Sequence, residues 1–338
     1  MFYIKILNRE DIKEVLEMES VIAGVESVYR LKSNGNTEVW PTVFYDFEPG
    51  KADMDIKSGL LKGANLYGHK TVTWFKDNQE KGLPQLIGVI VVYDATTGQP
   101  LGILDATYIT GVRTGAAGAI GAKYLAKKDA KTLFILGAGN QASNQIAAIL
   151  SIFDSIEKVF VADVKNPSKA QDFVAGIQKR LWEEFKIDAS KVLFENVTDM
   201  ASSVADSDII ITVTPSREPI IKKEWVKPGT HLSCIGADMA GKEEIDPEIL
   251  KEAKIYVDDK VHCLEVGEIE IPIKTGVIQP DDIIGEIGDL MEGKCVGREN
   301  DTDITVFDAT GMALLDIVTA KTALDLAEKK HLGISTLL

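Results

Sequence analysis

The rhythm of apolar and polar positions changes near residue 130. Before it, helical and alternating stretches are mixed. Ile12, Val15, Leu16, Ile22, Val25 and Val28 fall mostly on one face of a helix predicted from Asn8 to Arg30, with Asn8 or Asp11 as its N-cap. Val39–Asp46, Val72–Phe75, Gln85–Tyr93 and Leu101–Asp105 read as strands. Asp94 to Pro100, between the last two, signals a hairpin. The first hundred residues therefore predict a helix and a mainly antiparallel sheet. Asp105 to Ala126 predicts a helix opening near Thr107 or Thr110, with one face paved by Gly and Ala. That start would put Arg113 in the first turn, where a cation opposes the helix dipole unless an anion joins it.

From Thr132 onward, short apolar runs alternate with helical spacing. Strands are predicted at 132–136, 158–163, 192–196, 208–212, 230–235 and 255–258, with helices between them, including Pro167–Phe185 and Asp246–Glu252. Such alternation predicts an α/β fold with a doubly wound parallel sheet. Ile304 to Gly311 reads as a strand entering a helix. Met312 to Lys330 is helical and is expected to leave the parallel-sheet domain and pack on the N-terminal one. The expected domains are 1–115 with 312–338, a substrate and dimerisation domain, and 116–311, a nucleotide-binding domain.

The start of the parallel-sheet region carries specific chemistry. Thr132-Leu-Phe-Ile-Leu is followed by Gly137-Ala-Gly-Asn-Gln-Ala142 and then by a helical stretch. A G-x-G-x-x-A run between strand and helix is the context a dinucleotide fingerprint requires. Gly137 permits the tight turn, Gly139 lets backbone approach a pyrophosphate, and Ala142 lets the helix pack close. The helix N-terminus offers N–H groups and a positive dipole end to the phosphates. Asp163 ends the next strand, at the spacing where an acid takes the ribose hydroxyls of NAD. Val164 follows it, so nothing there welcomes a 2′-phosphate, although Lys165 keeps NADP open. Thr212, Thr214 and Gly236 lie at later strand ends, the edge where ligands bind in such sheets.

Composition narrows the partners. A net charge of −15 argues against nucleic acid and acidic membrane surfaces, so an anionic substrate needs a local basic pocket. The three cysteines, Cys234, Cys263 and Cys295, form neither a metal-ligand spacing nor an even framework, and read as free thiols in a reducing compartment. No signal peptide and no membrane-length apolar run is visible, so the cytoplasm is the expected location. His231, inside an apolar strand, reads as a core histidine. His69, His262 and His331 lack metal partners, and no metal site is expected.

Tyr67-Gly-His-Lys70, Tyr108-Ile-Thr-Gly-Val-Arg-Thr-Gly115, Gly137-Ala-Gly-Asn-Gln-Ala142, Thr212-Val-Thr-Pro-Ser216, Gly229 to Asp238, Gly267-Glu268 and Phe307-Asp-Ala-Thr-Gly311, in this order, resemble the ornithine cyclodeaminase/mu-crystallin family over nearly the whole chain. The resemblance implies a Rossmann domain with a second domain for substrate and dimerisation, a homodimer, and NAD(H) or NADP(H) as cofactor, of which Asp163 followed by Val164 favours NAD. It implies a small amino or imino acid substrate. Lys70 and Arg113 would bind its carboxylate, Lys70 at the reacting centre, and Asp238 would be the catalytic acid/base, its pKa raised by desolvation at the strand end. Gly137, Ala138, Gly139, Asn140, Gln141 and Ala142 would cradle the pyrophosphate, and Asp163 would hold the ribose. Thr110 or Thr114, together with Thr214, would line the nicotinamide side near Arg113, Thr212 and Gly236. The family often carries P-x-R in the early strand, its Arg a third carboxylate contact. Trp40-Pro-Thr-Val43 has valine there, Lys57 is the candidate substitute, and Asp55 could instead meet a substrate's second amino group. Cyclodeamination of ornithine is the first expectation. Alanine-dehydrogenase-like deamination comes next, then reduction of a cyclic imine such as pyrroline-2-carboxylate. A crystallin-like NAD(P)H-binding protein is the non-enzymatic alternative.

Overall fold

The computed structural model describes residues 1–338. In chain order its elements are β1 (Tyr3–Leu7), α1 (Arg9–Val15), α2 (Met18–Ser33), β2 (Thr37–Glu48), β3 (Ala52–Leu61), β4 (Leu66–Phe75), β5 (Leu86–Asp94), β6 (Pro100–Asp105) and α3 (Ala106–Leu125). There follow β7 (Thr132–Leu136), α4 (Asn140–Leu150), β8 (Lys158–Ala162), α5 (Pro167–Phe185), β9 (Leu193–Asn196), α6 (Met200–Asp206), β10 (Ile209–Thr212), β11 (Arg217–Ile221), β12 (His231–Cys234), β13 (Glu243–Ile245), α7 (Pro247–Leu250) and β14 (Ala253–Val257). The chain ends with α8 (Lys260–Glu265), α9 (Glu270–Lys274), β15 (Ile283–Glu286), α10 (Ile287–Met291), β16 (Ile304–Asp308), α11 (Ala313–Lys330) and β17 (Ile334–Leu337). Two compact units result, Met1–Arg113 with Met312–Leu338, and Thr114–Gly311, the division falling inside α3.

The first unit is a seven-stranded sheet in the order β17-β1-β6-β5-β4-β3-β2, antiparallel except for the β1–β6 pair. One face is covered by α11. Glycines let the helix lie close: a Cβ at Gly59 would meet Leu314 at 2.7 Å and one at Gly68 would meet Ile317 at 3.2 Å. The single helix expected over residues 8–30 is two. Asn8 caps α1 in a capping box with Asp11, and the chain breaks at Leu16–Glu17 before α2. The hairpin at 94–100 forms, with the Asp94 carboxylate accepting from Thr96 N and Thr97 N. Strands β1, β3, β11, β13, β15 and β17 were not legible, being short, polar or terminal.

The second unit is an eight-stranded, wholly parallel sheet, order β15-β14-β16-β12-β10-β7-β8-β9. Its inner strands β7, β8, β10 and β16 are buried on both faces, which is why they read as apolar runs. The order in which strands are added reverses at β7, which has β8 on one side and β10 on the other, and this switch point is where such sheets open a crevice for ligands. No helix is long and apolar enough to cross a membrane.

Candidate active site

In the first unit, Lys70 stands in the middle of β4 opposite Lys57 on β3 and Ile90 on β5, so all three share the face covered by α11. Lys70 is 4 % exposed. The fully buried Asp316 sits in the first turn of α11, where free N–H groups favour a carboxylate. Arg113 Nε donates to Asp316 Oδ1 at 3.0 Å. Lys70 Nζ lies 3.0 Å from Oδ2, out of line for a hydrogen bond, and donates to Thr110 Oγ1 at 3.4 Å. Burial pushes the Lys70 amine down from 10.5 to about 8, against the pull of Asp316, and Arg113 and Lys57 lower it further. Burial alone would raise the Asp316 carboxyl, but Arg113 and Lys70 hold it below its ordinary value. Two buried cations thus share one carboxylate, and a third cation lies directly opposite Lys70. Buried charge in excess is costly, and like charges directly opposite are destabilising, unless another anion enters.

Two sequence expectations change here. Arg113 lies two turns into α3, not in its first turn, because Asp105 caps the helix at Thr107 N (3.0 Å). The dipole has faded at that depth, and Asp316 holds the guanidinium instead. Val43 pairs with Ile56 and so faces away from Lys70. Pro41 and Thr42 together oppose Lys57, a bulge in which a proline costs no ladder bond. Lys57, unlike Val43, is on the Lys70 face.

In the second unit, the fingerprint forms the β7–α4 turn. Gly137 has φ +108°, and a Cβ on it would meet Val213 O at 2.9 Å. Gly139 caps α4, and its nearest neighbour on the Cβ side is Lys169 Nζ at 4.0 Å, leaving open space over the first N–H groups of the helix. Ala138 and Ala142 are buried, Gln141 is half-buried and Asn140 is exposed. Asp163 follows β8, accepts from Asn166 N at 3.0 Å and lies 3.9 Å from Lys169 Nζ. This cradle fits a dinucleotide: the turn is glycine-dependent, the helix N-terminus is uncovered, and an acid stands at the neighbouring strand end. Thr114 O accepts from Gln145 Nε2 at 3.0 Å, which ties α3 to α4.

Thr212 is buried at the end of β10. Thr214 N and Gly236 N donate to the two oxygens of Glu244, at 2.6 and 2.9 Å. The Asp238 side chain is 52 % exposed and ion-paired to Lys242, so the desolvation expected of it is absent. Its loop runs out beyond the strand end. Burial falls on Glu244, whose carboxyl is pushed up to about 7, against hydrogen bonds that favour the charged form.

The family is settled by comparison. The chain matches the ornithine cyclodeaminase/mu-crystallin family over residues 4–331.

This chain belongs to that family.

An alanine dehydrogenase of Archaeoglobus fulgidus is 38% identical to it over 331 residues, covering 97% of this chain and 96% of its own. Among solved structures, an archaeal alanine dehydrogenase dimer with bound NAD superposes with a TM-score of 0.90 at 36% identity, covering 100% of both chains. A Thermococcus litoralis Delta(1)-pyrroline-2-carboxylate reductase in complex with NADH and L-proline superposes with a TM-score of 0.89 at 33% identity, covering 98% of this chain and 99% of that one.

Within the first unit the fold brings together Lys70, Thr110, Arg113 and, on the facing strand, Lys57. Within the second it gathers the fingerprint, Thr212, Thr214 and Gly236 at one sheet edge. Three residues of these clusters escaped the sequence reading. Asp316 was hidden in an apolar helix, although an aspartate inside Leu314-Leu-Asp-Ile317 is itself a signal of buried charge. Glu244 and Lys169 carried no local signal, since their partners come from other elements. His231 is the core histidine its strand suggested. Thr305 and Ser233 Oγ atoms lie 2.9 Å from its two ring nitrogens, and burial pushes it down to about 3. The three cysteines are unpaired.

Proposed function

We propose that this protein is an NAD-dependent oxidoreductase of small 2-amino or 2-imino acids, of the alanine dehydrogenase kind. The observation that carries the reading is the buried Lys70–Asp316–Arg113 cluster with its one unbalanced positive charge. Lys70 and Arg113 take the substrate carboxylate, and the two-point clamp orients Cα. Gly137 to Ala142 receive the pyrophosphate and Asp163 the adenosine ribose, while Thr114, Thr212, Thr214 and Gly236 line the nicotinamide side. NAD, when bound, supplies the hydride acceptor for Cα. Asp238 accepts a proton from the substrate amine and passes one between water and the departing ammonia. Its exposure and its link to Lys242 suit a group that exchanges protons with solvent.

Reduction of a cyclic imine is the second reading, supported by the likeness to the reductase solved with NADH and L-proline. Cyclodeamination of ornithine, first on sequence alone, moves behind both. Lys57 faces the same side as Lys70, and a diamino acid would bring its distal ammonium toward that charge. Asp55, two residues along on the same face, is the group that would have to answer it. We further propose a homodimer through the uncovered face of the first sheet, where Trp40, Val43, Tyr45, Ile87 and Val89 are exposed. Three unpaired thiols suit a cytoplasmic setting.

The purified protein should be offered L-alanine, L-proline and L-ornithine, each with NAD. NADH and ammonia from alanine support the leading reading. NADH from proline without ammonia favours the imine reductase. Proline and ammonia from ornithine without net NADH would overturn both. Light scattering should give twice the chain mass, and Tyr45→Glu should halve it. A monomeric wild type refutes the dimer.

A further inference from the structure

In the second unit, three strand-end segments are stacked on one another. A Cβ at Gly137 would meet Val213 O at 2.9 Å and Thr214 Cγ2 at 3.1 Å, and one at Gly236 would meet Thr214 N at 2.6 Å. Thr214 is the middle layer, and one side chain sets its height. Glu244, fully buried on β13, accepts from Thr214 N through Oε1 and from Gly236 N through Oε2. It is fixed from behind, because Glu268 Oε1 accepts both Glu244 N at 2.8 Å and Ile245 N at 2.7 Å.

We propose that Glu244 is a positioning residue for cofactor binding, holding the Thr214 and Gly236 backbones at the spacing on which the fingerprint turn rests. The inference builds on NAD as the cofactor. Its chemistry lies in the two oxygens. A carboxylate accepts at both, an amide at one. Glu244 gives one oxygen to each loop, so glutamine must turn an N–H₂ toward one of the two N–H groups. Glu268 uses a single oxygen for both its bonds, so glutamine reproduces them. Burial, with Glu268, Asp308 and Cys234 as the titratable neighbours, keeps the Glu244 carboxyl near 7. Below that pH a proton on one oxygen removes an acceptor in the same way.

The test is NADH titration by fluorescence of wild type, Glu244→Gln and Glu268→Gln, with melting temperature and amide hydrogen exchange of the unliganded proteins alongside. Glu244→Gln should weaken NADH by about tenfold or more, and Glu268→Gln by no more than about twofold. Exchange at Thr214 and Gly236 should accelerate in Glu244→Gln alone. Wild-type affinity should fall as pH drops through about 7, and Glu244→Gln should flatten that profile. Unchanged affinity in Glu244→Gln overturns the inference, as does an equal loss in both variants, which would point to lost charge rather than spacing. Should Glu244→Gln not fold, the wild-type pH profile decides, and a flat one overturns it. A wild type that binds no NADH overturns the cofactor reading instead, and hydrogen exchange still decides the clamp.

Discussion

Asp316→Asn is the sharpest perturbation of the first unit. It keeps the shape of the side chain and removes the one carboxylate between Lys70 and Arg113, each 3.0 Å away. Breaking a buried ion pair from one side costs about 3–5 kcal/mol, because the partner charges stay buried. Here two cations are left. Lys70 already sits near 8 with Asp316 in place, and losing that support lowers it further. At neutral pH the variant relieves part of the cost by releasing the Lys70 proton, so the loss should fall toward the lower end of the range. The pH dependence has a definite sign. Between about 8 and 10.5 the unfolded chain holds the Lys70 proton more tightly than the folded one, so wild-type stability rises with pH across that window, by up to about 3 kcal/mol from this group. In Asp316→Asn the rise begins at lower pH, so the gap between variant and wild type narrows as pH approaches 8 and is constant above it, where Lys70 is neutral in both. Denaturant unfolding at a series of pH values reads both effects, with Lys70→Met as the control that lacks the lysine-dependent slope. A variant as stable as wild type at neutral pH, or a gap independent of pH, would refute the reasoning.

Three further predictions concern the second unit. Asp238→Ala should abolish turnover and leave NADH affinity unchanged within about twofold, since an exposed carboxylate contributes little to folding; near-normal turnover would remove it from the mechanism. Asp163→Arg should shift preference toward NADPH, measured as a ratio of dissociation constants, because it exchanges a ribose acceptor for a phosphate partner; an unchanged ratio would show that the acid does not meet the ribose. Gly137→Ala should lower the melting temperature and weaken NADH together, as φ +108° and Val213 O at 2.9 Å leave no place for a methyl group; binding that survives intact would mean the turn is not the phosphate cradle.

Local sequence determined most of the second unit. Parallel strands buried on both faces must be continuous apolar runs, and a glycine turn between strand and helix has few other uses, so β7, β8, α4 and α5 were legible residue by residue. Lys70 and Arg113 were legible as cations in an acidic chain that match a family pattern. What sequence could not show was which charges meet. Asp316 lies 203 positions from Arg113, and Glu244 lies 30 from Thr214 and 8 from Gly236. No periodicity records such pairings, because they are made by packing a C-terminal helix on an N-terminal sheet and by folding β13 under two strand ends. The same holds for burial. Asp238 and Glu244 are both acids just past β12, and only the path of the loop leaves the first in solvent and takes the second out of it. Chain pattern set the elements and the kinds of chemistry available, while tertiary structure decided which carboxylates are desolvated and which cations are left in excess, since both depend on contacts between segments remote in sequence.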